Sequence, residues 1–381
     1  MFRFLFSILL LTLVFAFSAQ NVSAIYDPLE KPNNFFGIHI LFPSELDEAA
    51  ALVNSQEGAW GYVTIPIQTT DKDLDKWQKF MDECREKKLI PIVRLATEPL
   101  YSDTSVWRIP TEADITDFAN FLNSLVWPVE NKYIIVFNET NRFDEWGGQP
   151  PDPKRYGELL SFTSDIFKRR SSDFYIVMGG MDNASPNDRI KYMDNLVYIE
   201  EMIESNPELV NKIDGFSSHS YPNPGFSQPP SATKEESTAT YKFEYDILNK
   251  NSSKKIPAFI TETGWVSDSL PDDVVASYYK TAYEDIWGQD EGKIVAITPF
   301  LLNSTGGQFE NFSFIINGQK TQHYESTREI VKTSGLPQIS EVKGIQIKAE
   351  VKKVEKFFSR TTIDTSRYAQ NFVTEYIKFF F

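Results

Sequence analysis

Cysteine is nearly absent from this chain: Cys84 stands alone among 381 residues. An intramolecular disulfide framework is therefore excluded, as is any multi-cysteine zinc or iron–sulfur site. Histidine is almost as scarce. His39, His219 and His323 are scattered, with no His-Glu-x-x-His pair, so a zinc-protease helix is excluded as well. The glycine-rich signatures of phosphate cradles, dinucleotide folds and esterase elbows are all missing. Asp71, Asp73 and Asp75 imitate the start of a calcium loop, but Lys76 stands where that loop needs glycine. The segment continues as a helix, and a calcium site is rejected. No metal and no cofactor is expected. Basic residues are the minority charge, 38 Lys and Arg against 53 Asp and Glu, for a net charge of −15. A chain this acidic repels phosphate backbones, so nucleic acid is not an expected partner.

What is present is a large apolar inventory. Hydrophobic residues make up 41% and aromatics 14%, enough for a sizeable core and too much for a disordered chain. Cys84 falls on the helical stripe Trp77, Phe80, Met81, Cys84, the spacing of a buried face, and reads as an inert core thiol. The N-terminus has another character. Arg3 precedes an apolar run over 4–17, then polar residues and the small-residue site Val22-Ser23-Ala24. That is the layout of a secretory signal over 1–24, too short for a membrane span of about 20 residues. The expected location is secreted or cell envelope, with no stable membrane span unless the signal stays uncleaved. Sequons at Asn183, Asn251, Asn303 and Asn311 matter only in a glycosylating host.

Beyond the signal, short apolar runs recur over 36–40, 61–67, 89–95, 133–139, 175–181, 215–221, 258–265 and 294–302. Each is rich in β-branched or aromatic residues, as strands covered on both faces are. Amphipathic stretches lie between them. One covers 112–126 and gathers Ile115, Phe118, Ala119 and Leu122 on one face. Eight βα units over about 300 residues predict an α/β fold, a (β/α)8 TIM barrel over 25–336. An open doubly wound sheet would carry a glycine-rich first turn, and none is present. The remainder, 337–381, lacks this rhythm and is Lys-rich over 343–356. It is read as a C-terminal extension of unassigned role, with weak strand alternation at Val342, Ile345, Ile347 and Ala349.

In such a barrel, chemistry sits at the C-terminal strand ends. The fourth strand ends Phe137-Asn138-Glu139-Thr140-Asn141 and the seventh Ile260-Thr261-Glu262-Thr263-Gly264-Trp265. One carboxylate at a mouth can be a structural ion-pair partner. Two that converge are what glycosidic cleavage requires: one protonates the leaving oxygen, the other attacks or activates water. Arg94 lies inside the apolar third strand, a costly place for an unpaired cation. A bridge to Glu262 would settle that cost and lower the pKa of the carboxylate; a purely structural pair is the competing reading. Trp265 and Trp146, just after strand ends, are expected as platforms for apolar sugar faces. His39, ending the first strand, is a further candidate for the sugar site.

The ordered pair of motifs resembles clan A of the retaining glycoside hydrolases, cellulase- and endo-β-glycanase-like barrels whose catalytic glutamates end strands four and seven. The resemblance implies Glu139 as general acid and then base, and Glu262 as nucleophile. It implies that Asn138 hydrogen-bonds the sugar 2-hydroxyl, that Tyr221 bonds the nucleophile, and that His219 orients the same subsite. Where the clan often ends strand eight in a stacking Trp, this chain has Thr298-Pro299-Phe300, so Phe300 is the expected substitute. Thr140 replaces the Pro common after the acid/base. The implied partner is a β-linked poly- or oligosaccharide. Three competitors remain. They are a catalytically inactive barrel that binds carbohydrate at the envelope, a metal-dependent hydrolase or lyase, and a structural envelope protein. The second would want more His or Asp at strand ends.

Overall fold

The computed structural model describes residues 25–341 apart from 305 and 308. The signal over 1–24 and all of the extension beyond 341 lie outside the described residues. Eight strands lie side by side in sequence order: β1 Gly37–His39, β2 Gly61–Gln68, β3 Leu89–Ala96, β4 Lys132–Val136, β5 Phe174–Met178, β6 Gly215–His219, β7 Ala258–Glu262 and β8 Ile294–Ile297. Every neighbouring pair is parallel. A parallel bridge between Phe36 and Ile297 closes the ring, seconded by Ile297 N donating to Phe35 O at 2.8 Å. The fold is the expected (β/α)8 barrel.

The interior is layered by the two-residue period of the strands. The second residue of six strands points inward at the N-terminal end: Tyr62, Ile90, Tyr133, Tyr175, Phe259 and Val295 form one buried cluster. Two residues on, Ile92, Ile135 and Val177 continue that cluster, while the Thr64 and Thr298 hydroxyls meet at 2.8 Å. Two more residues along β3, the same inward row delivers Arg94. The wall changes from apolar to hydroxylic to charged on the way to the mouth. Residues 26–33 and 335–338 cover the opposite end, leaving a cavity of about 40 Å³ there.

The helices wrap this barrel: α1 Leu46–Val53, α2 Leu74–Glu86, α3 Glu112–Ser124, α4 Pro153–Arg170, α5 Asn195–Ser205, α6 Leu209–Lys212, α7 Thr240–Lys250, α8 Asp272–Thr281 and α9 Gln322–Glu329. Their starts follow capping chemistry. Asp73, part of the rejected calcium triplet, caps α2 by accepting from Lys76 N. Thr111 and Asp114 form a capping box at α3. The stripe of Trp77, Phe80, Met81 and Cys84 is buried in the main core between strands and helices, and burial pushes the Cys84 thiol well above its ordinary value. Among the described residues no helix is long and apolar enough to cross a membrane. Past Leu336 the chain still touches the barrel: Glu130 N donates to Gln338 O at 2.9 Å, and Ile339 bridges Val129.

Five expected strands overshoot their ladders by two residues or more. Runs predicted to 139, 181, 221, 265 and 302 stop at Val136, Met178, His219, Glu262 and Ile297. The surplus residues leave the ladder: Glu139, Tyr221 and Phe300 go to the mouth, while Phe137, Met181, Trp265 and Leu302 join the main core.

Candidate active site

The end of β4 leaves ordinary strand geometry at once. Phe137 and Glu139 both take positive φ, 66° and 36°, a region that costs non-glycine residues about 1–3 kcal/mol. Glu139 N donates to Gly180 O at 2.9 Å and anchors the bend to the end of β5. Gly180 is needed there: a Cβ on it would collide with the ring of His219. The bend turns Glu139 toward Glu262, the last residue of β7. One oxygen of each carboxylate and one His219 ring nitrogen all lie within 4.8 Å of one another.

His219 and Tyr221 are alternate residues of one strand and its extension, and both face inward. His219 Nδ1 and Glu139 Oε1 share a hydrogen bond of 2.8 Å, and the same nitrogen is 3.8 Å from Glu262 Oε2. The Tyr221 hydroxyl donates to Glu262 Oε2 at 3.1 Å. Arg94 bridges to Glu262 Oε1 and donates to Asn138 Oδ1 at 2.7 Å. His39 Nδ1 is 3.9 Å from the same Glu262 oxygen. Six of the expected residues thus surround Glu262 or reach it through one partner.

This environment splits the two carboxylates. Burial alone would raise Glu262, but the charges of His219 and Arg94 outweigh it and hold the carboxyl at about 2. For Glu139, burial dominates the bond and charge of His219, and its pKa is raised. Burial lowers His219, yet the Glu262 charge and the bond to Glu139 more than reverse that, so its pKa is raised. His39 is held neutral, pushed down to about 3 by burial and then by Arg94. Glu139, His219 and Glu262 offer three ligand atoms close enough for one cation, but Arg94 already occupies a Glu262 oxygen and would repel it.

Two expectations need correction. Trp265 is fully buried, its Nε1 donating to Gln228 O at 2.7 Å among Tyr278, Tyr279 and Trp287. Trp146 is 2% exposed and belongs to the main core. Neither offers a face to a sugar: Trp265 turns outward to the helices, and Trp146, ten residues past β4, is buried in the main core. Phe300 does sit at the mouth. It packs edge-on to His39 and Phe309, in a cluster with Tyr221, Leu301 and Phe312; the Phe300–Leu301 peptide is cis.

Sequence reasoning missed four charged neighbours. Arg142 Nη1 lies 3.4 Å from Glu139 Oε2 and 3.3 Å from Asp182 Oδ2, with Asp144 gripping the same guanidinium. Asn138 Nδ2 donates to Glu145 Oε1 at 2.9 Å. The signal was present in the crowding of Arg142, Asp144 and Glu145 within six residues of Glu139, but nothing in a loop says which way such groups turn. Asn183, in a sequon, is buried and donates to Tyr221 O at 2.9 Å, so it supports the mouth from beneath.

No known family profile matches the sequence, and no curated protein does. Solved structures do. A family 39 glycoside hydrolase from Bacteroides cellulosilyticus is 14% identical, covering 81% of this chain and 64% of its own, with a TM-score of 0.57. A glucosidase from Croceicoccus marinus is 12% identical over 79% of this chain and 68% of its own, TM-score 0.57. A monomeric β-xylosidase from Caulobacter crescentus is 15% identical over 79% and 69%, TM-score 0.53. The chain spans 64% of the length of the Bacteroides protein. At such identities the likeness establishes the fold: a TIM barrel of the kind these glycoside hydrolases share, as the resemblance implied.

Proposed function

We propose that this protein is a retaining glycoside hydrolase that cleaves β-glycosidic bonds of a poly- or oligosaccharide. One observation carries the reading. Two carboxylates from the ends of β4 and β7 approach within 4.8 Å, one held ionised and the other biased toward its proton. Retaining sites separate their carboxyls by about 5–5.5 Å, whereas inverting sites leave room for a water at about 6.5–9.5 Å.

Glu262, ionised, attacks the anomeric carbon, while Glu139 passes its proton to the departing glycosidic oxygen. A covalent glycosyl ester on Glu262 results. Glu139, now a carboxylate, takes a proton from water, whose oxygen displaces Glu262 and releases the sugar with its original configuration. Arg94 and Tyr221 keep Glu262 ionised and aimed. His219 shares one proton with Glu139, keeping a donor beside the leaving group. Export, expected from the signal-like layout of residues 1–24, is part of the proposal. An uncharged glycan suits the acidic surface, and the xylosidase and glucosidase neighbours suggest where to begin.

The test is a panel of β-linked xylosides, glucosides, mannans and glucans, with NMR of the first product formed. Retained configuration is expected, and an inverted first product would reject the mechanism. Glu139→Ala should lose about 10²–10⁴-fold on substrates with poor leaving groups. Azide should restore turnover and give a β-glycosyl azide. A wild type that cleaves nothing on the panel would favour the carbohydrate-binding alternative.

A further inference from the structure

Glu145 has no place in the mechanism above, yet the site is built around it. Asn138 spends its amide in two directions. Its oxygen accepts from Arg94 at 2.7 Å, and its nitrogen donates to Glu145 at 2.9 Å. Arg94 in turn holds Glu262. A continuous chain therefore runs from the β7 carboxylate through Arg94 and Asn138 to Glu145 in the loop after β4. It fixes which end of the Asn138 amide faces which neighbour and leaves one amide N–H for a ligand. The loop that carries Glu145 is itself pinned, with Trp107 N donating to Asp144 O and Gly147 N to Trp107 O, at 2.7 and 2.8 Å.

We propose that Glu145 is a positioning residue for this site: its carboxyl holds the Asn138 amide in the orientation that faces the substrate. The catalytic meaning of this rests on the glycosidase reading; the orientation of the amide does not. The groups that face Glu145 are Glu139, Asn138, Arg94 and Arg142. Burial and then the Glu139 charge push it up to about 7, against the Asn138 bond and the two guanidiniums. A carboxyl held this high keeps its proton through the acid range, and its second oxygen still accepts from Asn138.

Two variants test this. Glu145→Ala removes the acceptor and should lose about tenfold in kcat/KM across the whole pH profile. Glu145→Gln keeps an oxygen for Asn138 Nδ2 and should recover most of that loss. An unimpaired Glu145→Ala, or equal losses in the two variants, overturns the proposal. A readout without substrate keeps it separate from the glycosidase reading: the side-chain amide 15N and 1H signals of Asn138 should shift in Glu145→Ala and stay near wild type in Glu145→Gln. If wild type cleaves no glycoside while that shift appears, the function fails and the positioning stands. If the Asn138 amide signals are the same in Glu145→Ala and wild type, the positioning fails whatever the enzyme does.

Discussion

The two ends of the barrel bury polar groups in opposite ways. At the floor, Tyr62, Tyr133 and Tyr175 are packed with Phe259 at ring separations of 5.0–6.2 Å. Their polar partners are neutral: the Tyr62 hydroxyl donates to Asn33 Oδ1 at 2.8 Å, and Asn131 Nδ2 donates to Tyr133 OH at 3.2 Å. At the mouth, Glu262, Arg94, His219 and Glu139 are buried nearly as deeply, with charge. Neutral hydrogen bonds satisfy burial at little cost, whereas buried ions cost several kcal/mol each before pairing returns it. The difference separates a group kept for packing from one kept for chemistry. The sharpest way to break it is Glu262→Gln. If the mouth is chemical, kcat falls about 10⁴-fold or more while the variant still folds, at a lowered thermal transition because Arg94 keeps a hydrogen-bond acceptor but loses its counter-charge. An active but unfolding variant would make the mouth a second floor.

Arg94→Met asks what the mouth cation does. It leaves a buried carboxylate without its guanidinium, a loss of about 3–5 kcal/mol. Glu262 must then rise from about 2, because burial is no longer outweighed by both cations. The proposed mechanism requires Glu262 ionised, so the acid limb of the rate profile should climb in pH, with roughly 100-fold lost at the optimum. The double variant Arg94→Met/Glu262→Gln should be less destabilised than the two single losses summed, since the orphan charge is gone. Additive losses would deny that the two side chains act as a pair.

A smaller effect compares histidines. His39 at the mouth and His323 on α9 are both buried and both neutral, lowered to about 3 and about 4, each chiefly by burial. His323 packs against Tyr279 and Phe314, and its Nε2 donates to Ser313 O at 3.1 Å. A histidine lowered in the folded state stabilises fully above its unfolded value of about 6.5. Below that the unfolded chain binds a proton the folded one refuses, so this stability drains away as pH falls toward 4. His323→Phe should flatten the melting temperature against pH between about 6.5 and 4 without touching kcat. An unchanged slope would mean that His323 already titrates normally in the fold.

The barrel was legible because its period is physical: strands buried on both faces must alternate with one-sided helices, and that rhythm survives in the sequence. Glu139, Glu262, Arg94 and His219 were legible because polar groups ending apolar runs have few bland explanations. Legibility stopped where the ladder stops. Trp265 lies three residues and Trp146 ten residues past the strand end, where period-two alternation no longer says in or out. Gly264, at φ 153°, precedes the turn that sends Trp265 into the helices. Glu145 and Arg142 were hidden for the same reason. Their loop has the right composition, and only its fold brings them to Asn138 and Glu139.

The least expected effect lies at the floor. Tyr62→Phe deletes one hydroxyl and leaves Asn33 Oδ1 without its donor, while Asn33 Nδ2 keeps its bond to Val295 O at 2.6 Å. The adjoining cavity of about 40 Å³ is polar on one side, with Asn33 and Asn131 in its lining, and has room for a water to replace the lost donor. The cost should therefore be about 1 kcal/mol, read as a small drop in denaturation midpoint. The ring remains, so the edge-on contact with Tyr133 persists. Between Tyr62 and the mouth lie Ile92, Ile135, Val177 and the Thr64–Thr298 pair, whose hydroxyls bond each other and the backbone. kcat, KM and the pH profile should match wild type. A measurable fall in kcat would show that the hydroxyl layer transmits floor packing to Glu262, and the division between a packing end and a reacting end would give way to one connected interior.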